Sequence, residues 1–101
     1  MKFYKTQDEQ GLFRETNKLE KGCWINLDSP TENEIQEVIS KTNVMPDQLR
    51  AALDEEEKAR VEVEDDGEHK DLLIILDMPY TFKEDDTEKT ATLPMGIVLH
   101  D

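Results

Sequence analysis

Gly22 to Arg60, GCWINLDSPTENEIQEVISKTNVMPDQLRAALDEEEKAR, is the stretch on which the fold turns. It starts as a strand, Cys23 to Leu27 (CWINL), which carries the only tryptophan, Trp24. At Asp28-Ser29-Pro30 the pattern changes. Ser29 has the side chain of a helix N-cap, Pro30 follows at a first helical position where a missing N–H costs nothing, and Glu32 closes a capping box. The spacing predicts a helix from Pro30 to about Thr42, with Ile35, Val38 and Ile39 as a narrow apolar stripe. Pro46 marks a second start, because the residue before a proline avoids the helical region. Leu49, Ala52 and Leu53 repeat the spacing on a shorter helix ending near Asp54. The run Asp54-Glu55-Glu56-Glu57 then falls at a helix C-terminus, where the macrodipole disfavours negative charge. A compensating cation is expected there, from Arg60, Lys58 or a metal ion.

Short strands flank this helical pair. Lys2 to Thr6 (KFYKT) and Leu12 to Thr16 (LFRET) alternate polar with β-prone residues, as in a two-strand ribbon. Downstream, Val61 to Glu64 alternates as VEVE, and Asp65-Asp66-Gly67-Glu68 is a turn signal leading into Leu72 to Leu76 (LLIIL). The pattern predicts a hairpin whose second strand is central and covered on both faces, ended by Pro79. Tyr80 to Thr90 reads as a mobile acidic loop. Ala91 to Leu99 (ATLPMGIVL) reads as a last strand with a bulge or an edge position near Pro94 and Gly96. Strands, two helices, then strands describe an α/β sandwich, a mixed β-sheet with short helices packed on it, in a single domain spanning 1–101.

Charge bounds the function. With 25 acidic against 12 basic residues the chain carries a formal net charge of −13, a field that repels phosphate backbones and anionic lipid surfaces. Nucleic acid is excluded as a partner, whereas divalent cations and basic protein surfaces are favoured. Only 36% of the residues are hydrophobic, but they gather in blocks such as LLIIL and GIVL, which argues for a folded domain. The one cysteine, Cys23, has no internal partner and fits a reducing compartment as a small hydrophobe beside Trp24. No apolar run approaches the roughly 18 residues of a membrane span, and the N-terminus lacks a signal-peptide core. A soluble, cytosolic chain is expected. Its end, directly after an apolar strand, reads as a cut from something longer.

Motif chemistry is sparse. Aligning Gly67 with the glycine of a calcium loop places Glu62, Glu64 and Asp66 at ligand positions, but Leu73 stands where the twelfth-position carboxylate belongs. A zinc site has only Cys23, His69 and His100 to draw on, without pair spacing. No nucleophile, phosphate-loop or dinucleotide signature is present, so the chain reads as no enzyme. His69 and His100 read as solvated surface histidines, and Asp77 as a strand-end residue facing water. The acidic clusters Asp54 to Glu57, Glu62 to Glu68 and Glu84 to Glu88 read first as solvated faces. Their chemical alternative is a weak Mg²⁺ site, since Mg²⁺ prefers hard oxygen ligands and needs only one or two carboxylates directly.

One resemblance draws these pieces together. Trp24-Ile25-Asn26-Leu27, then Pro30-Thr31 and Glu34, then Pro46, Leu49, Ala52-Leu53-Asp54, Glu56-Glu57 and Arg60-Val61-Glu62 follow one another in order. Leu73 to Met78-Pro79 and Leu93-Pro94-Met95-Gly96-Ile97-Val98-Leu99 complete the set. In order and spacing this resembles the cytosolic N-terminal domain of the CorA-type magnesium transporters, over roughly Gly22 to Leu99. The resemblance implies a domain on the cytoplasmic side of the membrane, followed in the whole protein by a long helix and two membrane helices, assembled as a homopentamer that passes Mg²⁺ and also Co²⁺. It implies that Mg²⁺ held weakly by carboxylates between subunits keeps the closed state. The Gly-Met-Asn pore signature and the membrane helices are absent, so this chain conducts nothing; its membrane association would come only through missing C-terminal helices, and the fragment is free to be a monomer. Some members carry a metal-binding aspartate two residues after the leucine matching Leu49, and that position is Ala51 here. Asp54, Glu55 and Glu56, about one turn further on, are the metal ligands expected in its place.

The leading expectation is thus a regulatory, ion-sensing domain of a CorA-like transporter. The alternative is a free-standing acidic module that binds a basic protein.

Overall fold

In the computed structural model, which describes residues 1–6 and 9–100, every strand pairing is antiparallel. The elements run β1 (Lys2–Thr6), β2 (Phe13–Thr16), β3 (Trp24–Asn26), α1 (Glu32–Thr42), α2 (Pro46–Ala52), β4 (Arg60–Asp65), β5 (Lys70–Glu84) and β6 (Thr87–His100). Helices and strands are both present as the sequence pattern predicts, but the strands form two separate three-stranded sheets, β2-β1-β3 and β4-β5-β6. A single mixed sheet is not what forms. Tight turns join β4 to β5 and β5 to β6, and such turns leave antiparallel pairing as the only outcome, since a parallel pair needs a long crossover. The chain divides into two compact units, Met1–Asn43 and Val44–Asp101.

In the first unit β1 is central, with Tyr4 opposite both Glu15 on β2 and Trp24 on β3. Trp24 collects the aromatic side chains: its ring lies 5.7 Å from that of Tyr4 and 5.6 Å, edge-on, from that of Phe13. The helix α1 begins one S/T-x-x-E pattern later than its sequence signal. Thr31 is the N-cap, its hydroxyl accepting the Glu34 N–H at 3.2 Å while the Glu34 carboxylate accepts the Thr31 N–H at 3.0 Å. Ser29 cannot cap, because its φ of 46° is left-handed and an N-cap needs extended backbone. Ile35 and Val38 are buried, in line with the apolar stripe, and Asn43 closes the helix in a left-handed C-cap, its N–H bonded to the Ile39 carbonyl at 3.0 Å.

The second unit is built on β5. Parity divides its residues: Asp71, Leu73 and Ile75 are buried, whereas Leu72 and Ile74 are half-buried and Leu76 is exposed. The apolar run is therefore covered on one face and partly open on the other, in place of cover on both. The helix α2 packs on the covered face, against β6 and β5. Leu49 of α2 and Val44 before it are buried, together with Gln48, whose side-chain amide has no hydrogen-bond partner among the described residues. Gly96 of β6 admits the helix end: a Cβ there would fall on the Cβ and Cα of Ala52 and 2.6 Å from its carbonyl oxygen. α2 stops at Ala52, ahead of the acidic run.

Two expectations about the distal part of the chain are corrected. Pro79 does not end β5, which continues to Glu84 with Pro79 opposite Thr92. Beyond Ile75 there is no β4 residue on its other side, and a proline is tolerated at such an open edge. Pro94 likewise lies on β6, an edge strand. Tyr80 to Thr90 is not a loop, because Asp85 and Asp86, at φ 52° and 60°, make a two-residue turn between Glu84 and Thr87. Two successive positive φ values fit the right-handed twist of a hairpin, and aspartate adopts them more readily than most residues.

The register also sorts side chains by face. Even positions of β5 lie opposite odd positions of β6 and β4, as in Ile74 with Ile97 and Val61, or Met78 with Leu93. These share the face opposite α2, and it stays apolar for most of the length of the hairpin.

Candidate functional site

Two groups of ionisable side chains stand out, both in the second unit. The first is the acidic turn after α2. The Leu53 N–H bonds the Arg50 carbonyl at 3.1 Å and the Asp54 N–H bonds the Ala51 carbonyl at 3.2 Å, so the helix tightens and ends. Asp54 then folds the chain over itself, its Oδ1 accepting the Glu56 N–H at 2.9 Å. Asp54, Glu55 and Glu56 are exposed. Glu57 is half-buried and pairs with the Arg60 guanidinium, whose Nε donates to Glu62 Oε1 at 2.8 Å. Arg60 is thus the cation that the acidic run calls for, and Glu57 first, then Glu62, raises its pKa above the ordinary arginine value.

The structure places the three expected metal ligands side by side on one exposed turn. Among the described residues no group of three or more His, Cys, Asp or Glu side chains converges as a metal cage would. One or two carboxylates with retained waters, the arrangement Mg²⁺ favours, need no such cage. Ala51 lies within the last turn of α2.

The second group was not singled out by sequence reasoning. Asp71 is fully buried near the start of β5, directly opposite His100 on β6. Its Oδ1 lies 2.5 Å from His100 Nδ1, and its Oδ2 accepts the Met45 N–H at 3.3 Å. The His100 side chain is 18% exposed, so the expectation of a freely solvated histidine is corrected. His69, in the β4–β5 turn, is exposed as expected, but its ring centroid lies 5.8 Å from that of His100. The turn itself is pinned by Asp66, whose Oδ1 accepts the N–H groups of His69 at 2.6 Å and Glu68 at 2.9 Å, while Gly67 sits at φ 89°. Those two backbone donors, His69 first, hold the Asp66 carboxyl below its ordinary pKa.

Chemically, a buried carboxylate orienting an imidazole through Nδ1 leaves Nε2 as the free ring nitrogen. Through its bonds to His100 and to the Met45 N–H, Asp71 ties together β5, β6 and the chain entering α2. Beside it lies a hollow of about 520 Å³ lined by Val63, Lys70, Leu72, Leu99 and His100. Asp77, the strand-end carboxylate weighed for chemistry, is exposed opposite Pro94. Comparison with protein-family models, curated proteins and solved structures gave no match. Sequence alone held one clue to the Asp71–His100 pair: each is a polar residue at the end of an apolar strand, and a hairpin register that aligns LLIIL with MGIVL brings the two ends together.

Proposed function

We propose that this chain is a cytosolic regulatory domain of a CorA-like magnesium transporter, sensing Mg²⁺ (and Co²⁺) on the cytoplasmic side of the membrane as part of a homopentamer. The observation that carries this reading is the way the resembling stretches meet. Leu49 and Ala52 on α2, Leu73 on β5 and Gly96 on β6 belong to separate parts of the resemblance, and they form one packed layer in the second unit. Other residues of the resemblance, among them Trp24, Val61, Met78 and Leu93, are exposed, so the support comes from this part of it alone. Among the described residues no helix is long and apolar enough to cross a membrane, which accords with a domain lying outside the bilayer.

In this reading Asp54, Glu55 and Glu56 contribute the ion contact. They stand on an exposed turn after a helix that is anchored by its buried residues Gln48 and Leu49. A cation shared between this turn and a neighbouring subunit would favour whichever subunit arrangement brings oxygen ligands from both sides within reach. A ligand shifts a two-state equilibrium only by its difference in affinity for the two states, so exposed carboxylates that are unshared in one state and shared in the other are a sufficient sensor.

The test is a thermal melt in Mg²⁺ against NaCl of matched ionic strength. A specific site raises Tm further in Mg²⁺ than in NaCl, and an Asp54→Asn, Glu55→Gln, Glu56→Gln variant abolishes the excess. Equal shifts in the two salts would reduce the effect to screening and count against these three ligands.

A further inference from the structure

We infer that the open face of the β4–β5–β6 sheet is an interface with a second copy of this chain, formed by packing the two sheets face to face. The inference does not depend on the magnesium reading: a two-fold contact is self-complementary and cannot be one of the head-to-tail contacts that close a five-fold ring, so this face is separate from those a homopentamer would use.

The face is too large and too apolar for a solvated surface. Val61 is 64% exposed, Val63 55%, Leu99 54%, Met78 43%, and Leu93 and Met95 40% each. The antiparallel register puts all of them on the side opposite α2. With the half-exposed residues between them, these leave on the order of 700 Å² of apolar side chain accessible, above the roughly 300–600 Å² of the largest patch on a typical monomer. It approaches the roughly 800 Å² per partner of a standard stable interface.

Charge selects the occupant. The chain carries a net charge of −13, yet the charged positions sharing this face are Asp65 and Glu84 against Lys70 and Lys89, which balance. Glu62, Glu64, Asp71, Asp77 and Glu88 have the opposite parity and belong to the other side. A basic partner gains nothing from a neutral apolar surface, whereas a second copy meets a surface of the same kind. Lys70 and Asp65 sit at one end of the face, and Glu84 and Lys89, 3.3 Å apart, at the other. Both signs are present at both ends, so a two-fold axis in either in-plane direction brings opposite charges together. Sheets packed this way sit about 10 Å apart with their strands within about 30°, and a two-fold contact closes on itself as a dimer.

Sedimentation equilibrium of the full chain from ~5 to ~300 μM decides the matter. The expected result is a reversible monomer–dimer equilibrium that strengthens from about 0.05 M to about 0.5 M NaCl, because salt screens repulsion between the off-face carboxylates of two acidic chains. Met78→Gln with Leu93→Gln leaves the charge unchanged and should weaken the dimer at least about tenfold. Val61→Thr with Val63→Thr, at the other end of the face, keeps β-branched residues in β4 and should weaken it too, with circular dichroism and Tm verifying the fold of each variant. A monomer at every concentration and salt overturns the inference. So does an association that falls with salt, that neither variant weakens, or that runs on into an open series of oligomers.

Discussion

Gly96 on β6 lies under Ala52, the last residue of α2, with no space between them for a methyl group. Replacing Gly96 by alanine therefore drives a Cβ into the Cβ, Cα and carbonyl oxygen of Ala52, two of which are backbone atoms that cannot rotate aside. The expected cost is about 1–3 kcal/mol, as for other overpacked sites. Ala52→Gly should recover only part of it in the double variant, since Cα and the carbonyl remain. Urea denaturation of the set checks this, and an unchanged midpoint for Gly96→Ala would mean that α2 does not approach β6 so closely.

A second prediction concerns the buried pair. His100→Ala deprives the fully buried Asp71 side chain of its histidine partner while the Met45 N–H remains, at an expected cost of about 1–3 kcal/mol. Replacing both Asp71 and His100 with leucine removes the unsatisfied group along with the bond and should cost less than His100→Ala alone. A double-mutant cycle by chemical denaturation reads the coupling. Strict additivity of the two single changes would show that the residues do not interact.

The caps of α1 separate two readings of the same sequence. Thr31→Ala should lower stability by about 1 kcal/mol, because the Glu34 N–H loses its acceptor. Ser29→Ala should leave helix content unchanged. Far-ultraviolet circular dichroism during thermal unfolding distinguishes the two, and a larger loss for Ser29→Ala would restore the earlier start.

Acid should act on the β4–β5 turn. The Asp66 carboxyl is held below its ordinary pKa by the N–H groups of His69 and Glu68, so folding favours its ionised form. That contribution is complete above the ordinary carboxylate value and disappears as the pH falls through the lowered value in the folded state. Tm followed from neutral to acid pH should therefore fall less steeply in Asp66→Asn than in the parent. Parallel curves would mean that the carboxylate does not titrate with the fold.

Much of the local structure was legible in the residues themselves. Pro46 starts α2, Gly67 supplies the left-handed residue of the β4–β5 turn, and the alternation of KFYKT and VEVE marks strands, because each of these signals acts within a few residues. The signals failed where two local solutions were close in quality. Ser29-x-x-Glu32 and Thr31-x-x-Glu34 are both capping boxes, and only the φ of Ser29 separates them. They failed again at Tyr80 to Thr90, where acidic residues imply a loop, but a fourteen-pair register with β6 carries the strand through to Glu84. At the candidate site, the acidic run and its cation Arg60 were visible because they are neighbours in the chain. Asp71 and His100 were not, being twenty-nine residues apart.

Sequence by itself therefore determined the kinds of element, their order, the β4–β5 turn and the acidic character of the corner after α2, since propensity, capping and charge are properties of short segments. Tertiary structure alone decided that the sheets are two and antiparallel, that β5 buries one face and opens the other, that Gly96 must be a glycine, and that a buried aspartate meets a histidine. The physical reason is register. The side-chain period of a strand is two, so pairing distant segments one residue out of step would exchange the buried and open faces, and no short stretch of sequence contains that choice.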